Sequence, residues 1–123
     1  MNLQYLDFEH SEDTEGIGTF EAMASVSPDQ VPQVHAEIRD VLNWAFRAFP
    51  EGHGPVSEGG VWDHDLQSQR EYSASDAIEF DERSGQLRVQ AGEAGLARHT
   101  LTLSISGTAD FCAAFLDRFK LAL

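Results

Sequence analysis

Three stretches of the chain alternate strictly between apolar and polar side chains, and nothing else in the sequence constrains the fold as tightly. Ile78 and Phe80 oppose Glu79 and Asp81. Leu87, Val89 and Ala91 oppose Gln86, Arg88 and Gln90, and Leu101, Leu103 and Ile105 oppose Thr100, Thr102 and Ser104. Successive side chains of a strand point to opposite faces, so a period of two gives each strand one wet face and one dry face. Strands of this kind belong to an antiparallel sheet covered on one side; a parallel sheet, buried on both, reads as continuous apolar runs.

Residues 17–26 carry the same signature, with Phe20, Ala22, Ala24 and Val26 against Thr19, Glu21 and Ser25. Residues 2–8 read as a short strand, and the acidic segment 9–16 between these two suits a loose hairpin loop. A weakly patterned strand is expected near residues 62–72. Glu82-Arg83-Ser84-Gly85 and Gly92-Glu93-Ala94-Gly95 predict two hairpin turns.

Two helical stripes offer the cover for such a sheet. Val34, Ile38, Val41, Leu42, Ala45, Phe46 and Phe49 recur at helical spacing. Pro32 would clash inside a helix, so regular helix is expected from about residue 32, with 28–31 as a turn and Pro50 and Gly52 ending it. A last helix begins at Thr108 as N-cap, with Asp110 in its first turn and Phe111, Cys112, Phe115, Leu116 and Phe119 on its apolar face. The order is ββ-α-ββββ-α. The sequence therefore predicts a single α+β domain over residues 1–123: a two-layer sandwich in which two helices cover one face of an antiparallel sheet of five to six strands.

The charge excludes some functions. Twenty-one acids face eight bases, a net of −13, and residues 1–38 hold eight acids with no Lys or Arg. Such a field repels phosphate backbones and steers a basic protein inward, so a basic partner is expected and nucleic acid is not. The lone Cys112 permits no internal disulfide. No apolar run approaches the roughly 18 residues of a membrane span, and the N-terminal residues lack a signal-peptide pattern. A cytoplasmic protein without membrane attachment is the expectation.

Chemistry is expected, if anywhere, in the loop at residues 50–61 and the strand after it, because structureless loops of a dozen residues in compact domains are usually functional or mobile. Histidine and carboxylate together ligate zinc and related ions, which points to His53, Asp63 and Asp65 as a metal set. If residues 61–68 are extended, Trp62, His64 and Leu66 share one face and Asp63, Asp65 and Gln67 the other. That geometry excludes His64 from a site with its neighbouring aspartates. Gly59, Gly60, Trp62, Asp63 and Asp65 are equally read as a binding loop for a protein or small ligand. Cys112, between Phe111 and Phe115, reads as a small buried hydrophobe rather than a nucleophile.

The sequence carries no Gly-x-Ser-x-Gly elbow, no Walker loop and no dinucleotide fingerprint. No catalytic residue and no organic cofactor are assigned. The function expected is a small acidic protein-interaction or ligand-binding module without catalysis. The alternative is a small metal-dependent enzyme or metal-binding protein using the 53–65 loop and strand. A homodimer through a sheet edge or face is a further expectation, since edge strands present unpaired backbone groups.

Overall fold

The computed structural model describes residues 3–121; Met1, Asn2, Ala122 and Leu123 lie outside them. Six strands and two helices follow in the order β1 (Phe8–Glu12), β2 (Gly18–Val26), α1 (Val31–Ala48), β3 (Trp62–Glu71), β4 (Ala77–Asp81), β5 (Gln86–Gln90), β6 (Arg98–Gly107) and α2 (Ala109–Phe119). The α+β class, the two helices and the antiparallel pairing agree with the sequence. The sheet does not form as expected: β1-β2-β6-β3 make one four-stranded antiparallel sheet, and β4-β5 make a separate two-stranded one.

The four-stranded sheet buries one face. Phe20, Ala22, Ala24 and Val26 of β2 and Leu101, Leu103 and Ile105 of β6 are all buried, as their alternation requires. Val34, Ile38, Val41 and Ala45 of α1 meet this face, as do Phe111, Cys112, Phe115 and Phe119 of α2. Aromatic rings fill the centre: Phe20 lies 4.5 Å from Phe115 between ring centroids, and Phe8 meets Phe115 edge-on at 5.2 Å. No helix among the described residues is long and apolar enough to cross a membrane.

The N-terminal segment departs from its expected form. Of the strand expected over 2–8, residue 2 lies outside the described residues and residues 3–7 form no strand; β1 begins at Phe8 and runs on to Glu12, so His10 lies in β1 and not in a turn. Residues 4–6 are tied instead to α1. The buried carboxylate of Glu37 accepts hydrogen bonds from the backbone N–H groups of Gln4, Tyr5 and Leu6 at 2.9–3.2 Å. A carboxylate that satisfies three main-chain donors compensates its own desolvation, and it holds this segment where a strand ladder would otherwise be needed.

β3 and β6 continue as paired strands to Glu71 and Arg98. Beyond them the chain leaves the sheet. Residues 72–76 and 91–97 form a neck, joined where Gly95 N–H donates to the Ser73 carbonyl and Gly92 N–H to the Asp76 carboxylate. The segment 92–95 is thus one side of this neck and not the hairpin turn expected of it. The neck leads into the β4–β5 hairpin, whose turn at 82–85 forms as expected: Gly85, at φ +69°, donates to the Asp81 carbonyl. β4 and β5 keep their alternation but lie outside the two-layer body. The two helices run 18 and 11 residues, enough to cover four strands. A strict period of two states which faces differ and is silent on whether anything covers the dry one.

Candidate functional site

Residues 50–61 are pinned to the open edge of β3. In the order β1-β2-β6-β3, β3 has one neighbour, β6, and its other edge is free for the loop. Val61 N–H donates to the Gly52 carbonyl at 2.6 Å and Gly54 N–H to the Trp62 carbonyl at 2.9 Å, so His53 runs parallel beside Trp62 as a one-residue bridge. The Pro55 carbonyl accepts from both Glu58 and Gly60 N–H and closes the loop on itself. Gly60 is required there: a Cβ would sit 2.0 Å from the Gly54 carbonyl oxygen. The loop is therefore a rigid clip.

The clip delivers one imidazole to the strand edge. His53 Nε2 lies 3.0 Å from His64 Nδ1 and 3.4 Å from Asp63 Oδ1. One ligand atom from each of the three residues lies within 4.8 Å of the other two. The sequence places His53 and Asp63 together, and the structure does so too. Asp65 stays apart: it is exposed and accepts a hydrogen bond from Gln67 Nε2 at 3.0 Å. His64 takes the third place, against the expectation from alternation.

The physical reason is the edge. Facing rules separate Asp63 from His64 across the plane of the sheet, but at a free edge a short side chain can fold round the strand. Asp63 does so, its Oδ1 accepting the N–H of His64 at 2.9 Å. His53, arriving at the edge itself, reaches both faces. Strand order is what makes β3 an edge, and strand order is not written in local periodicity.

Aromatic rings wall the cluster on the body side. Trp62 is fully buried, donates from Nε1 to the Phe49 carbonyl at the end of α1, and lies 4.5 Å from the His53 ring. Phe46 lies 4.8 Å from both His53 and Trp62. The aspartate and His64 are half-buried, and the remaining side opens to solvent. Of the residues read as a binding loop, Trp62 serves the core, and Gly59 and Gly60 shape the clip. Only Asp63 and Asp65 present functional groups outward.

The second surface feature is the hairpin. Its register sets Ile78 opposite Val89 and Phe80 opposite Leu87 on one face, with Glu79 opposite Arg88 on the other. The Glu79–Arg88 pair closes to 3.8 Å, as cross-strand neighbours of opposite charge do. The four apolar side chains are 61, 62, 63 and 61% exposed for Ile78, Val89, Phe80 and Leu87. Tyr72 and Leu96 in the neck are exposed as well. Below the neck, Ile38, Leu66 and Leu101 line an open cleft of about 460 Å³ with His35 and Arg39 at its rim.

Cys112 is buried, its Sγ 3.4 Å from the Gly107 carbonyl. Burial pushes its thiol up, against a smaller opposing pull from the Gly18 backbone. A raised thiol carries little thiolate at neutral pH, in keeping with a packing role. No family model, no curated protein and no solved structure matches the chain.

Proposed function

We propose that the protein is a non-catalytic binding module whose contact element is the β4–β5 arm, and that the arm docks on the same arm of a second copy of the chain. One observation carries this reading: four in-register apolar side chains, each about three-fifths exposed, on a ribbon that stands away from the body. An isolated two-stranded hairpin is marginally stable in water and gains its stability from a partner surface. Contiguous apolar patches of this kind mark interaction sites more often than bare surface.

A second copy fits the arm better than a basic protein does. The dry face carries no charge with which to recognise a cation; its charged residues, Glu79, Asp81 and Arg88, alternate onto the other side. An apolar ribbon face can be complementary to itself under a two-fold axis, which sets the same patch against itself. Two such faces bury on the order of 1,000 Å², where specific interfaces begin. The acidic body would steer a basic protein toward the molecule, but its contact would lie elsewhere. A cytoplasmic setting belongs to this reading and rests on the single thiol and the acidic composition.

Sedimentation equilibrium of the untagged chain tests the proposal. The expected mass rises from 13.6 kDa toward twice that as concentration passes through the micromolar range. Because two chains of net charge −13 repel, added salt strengthens this dimer by screening. The double variant Phe80→Ser, Leu87→Ser stays at the mass of one chain. A wild-type mass fixed at one chain throughout would overturn the reading, and a complex with a basic protein that salt dissolves would favour the electrostatic alternative.

A further inference from the structure

We infer that His53, Asp63 and His64 form a binding site for a divalent transition-metal ion of borderline softness, with zinc as the first candidate. Three observations carry this, and none involves the arm. The first is the donor set. Two imidazoles and a carboxylate suit zinc, cobalt or nickel, whereas magnesium and calcium take oxygen ligands.

The second is spacing. Ligands at about 2.0–2.1 Å from a tetrahedral ion stand about 3.3 Å from one another. His53 Nε2 is already 3.0 Å from His64 Nδ1 and 3.4 Å from Asp63 Oδ1. A small turn of the half-buried Asp63 and His64 side chains brings the third separation into range. Without an ion, one of the two imidazole nitrogens donates its N–H to the lone pair of the other; when a metal binds, the donor ring carries its proton on its other nitrogen instead, so both lone pairs meet the ion where the two nitrogens already converge.

The third is support. His64 and Asp63 stand on a strand hydrogen-bonded to β6 through its whole length, and His53 is held by main-chain bonds on both sides, from Gly52 and Gly54 to Val61 and Trp62. Phe46 and Trp62 back the His53 ring. Sites on rigid elements lose little freedom when the ion binds. Three protein ligands with one side open to solvent leave a fourth position for water or for a donor from a bound molecule.

The test is titration of the untagged, chelator-treated chain with zinc chloride by calorimetry, repeated with cobalt(II) read by its visible absorption. One ion binds per chain, and His53→Ala, His64→Ala and Asp63→Asn each weaken binding at least tenfold. Asp65→Asn leaves it unchanged, because that carboxylate accepts from Gln67 and lies outside the cluster. Circular dichroism and a urea midpoint show whether each variant folds. If His64→Ala does not, His53→Gln, on the exposed clip, makes the same comparison. Absence of saturable binding, or binding that survives the His53 and Asp63 changes, would overturn the site and leave a plain imidazole–imidazole hydrogen bond.

Discussion

β6 and the β4–β5 ribbon are written in the same pattern, yet they occupy opposite environments. Leu101, Leu103 and Ile105 alternate with Thr100, Thr102 and Ser104 and are buried. Phe80, Ile78, Leu87 and Val89 alternate just as strictly and lie open to solvent. The difference lies in what each strand is near. β6 is flanked by β2 and β3 and roofed by both helices, while among the described residues β4 and β5 pair as strands only with each other. Alternation thus specifies a dry face, and the topology decides whether the chain itself covers that face or leaves it for another molecule.

Deleting one ring from each region should separate the two environments by the largest margin. Phe115→Ala removes a fully buried ring packed on Phe8 and Phe20 and should cost about 3–5 kcal/mol of unfolding free energy. Phe80→Ala, in chain dilute enough to be monomeric, should change stability by no more than about 0.5 kcal/mol. Urea denaturation of both variants checks this. Equal losses would mean that the arm is part of the core.

Next in size is the tether of the N-terminal segment. Glu37→Ala strips three main-chain donors of their acceptor and should destabilise by about 2–4 kcal/mol. Amide exchange at Gln4, Tyr5 and Leu6 should rise well above that at the centre of β6, which separates a local tether from the sheet.

A smaller effect is expected at the clip. Gly60→Ala forces a Cβ onto the Gly54 carbonyl and should cost about 1–3 kcal/mol. It should also weaken zinc binding while leaving self-association intact, because clip and arm are separate features. Loss of both together would show that they are one.

The smallest effect is the pH response of Cys112. Burial holds its folded thiol above the ordinary value of 9.0 that the unfolded chain keeps. Between those two values the unfolded chain has lost a proton that the folded chain keeps, so stability falls as pH rises. The contribution is fully present below about pH 8 and is lost as pH climbs through the raised folded value. Urea midpoints for the wild type should decline across that window more than those for Cys112→Ala.

Much of the body was legible in the residues. The inward set of β2 and β6 and most of the stripes of α1 and α2 follow from period, and α2 starts after Thr108 as expected, although Thr108 makes no side-chain capping bond and Phe46 of the α1 stripe is exposed. Two things were not legible, for a common reason. Nothing between Glu71 and Arg98 states that the ribbon leaves the sheet, since a neck pinned by Gly92 and Gly95 resembles a turn in sequence. Nothing near Asp63 states that β3 is an edge, and only at an edge can His64 and Asp63 meet one histidine. Both depend on strand order, set by contacts far apart in the chain. The facing rule makes Asp65 the second strand carboxylate, and the edge makes that rule fail at His64.

Hydrogen exchange of residues 77–90, compared with residues 99–107 at low and high protein concentration, separates an arm completed by a second copy from an arm that stays free. In dilute chain the arm amides should exchange at near-unprotected rates while β6 is protected. At concentrations that favour the dimer the arm should gain protection and β6 should not change. Arm amides that behave the same at both concentrations, whether protected or open, would contradict the claim that this ribbon is completed by a second copy.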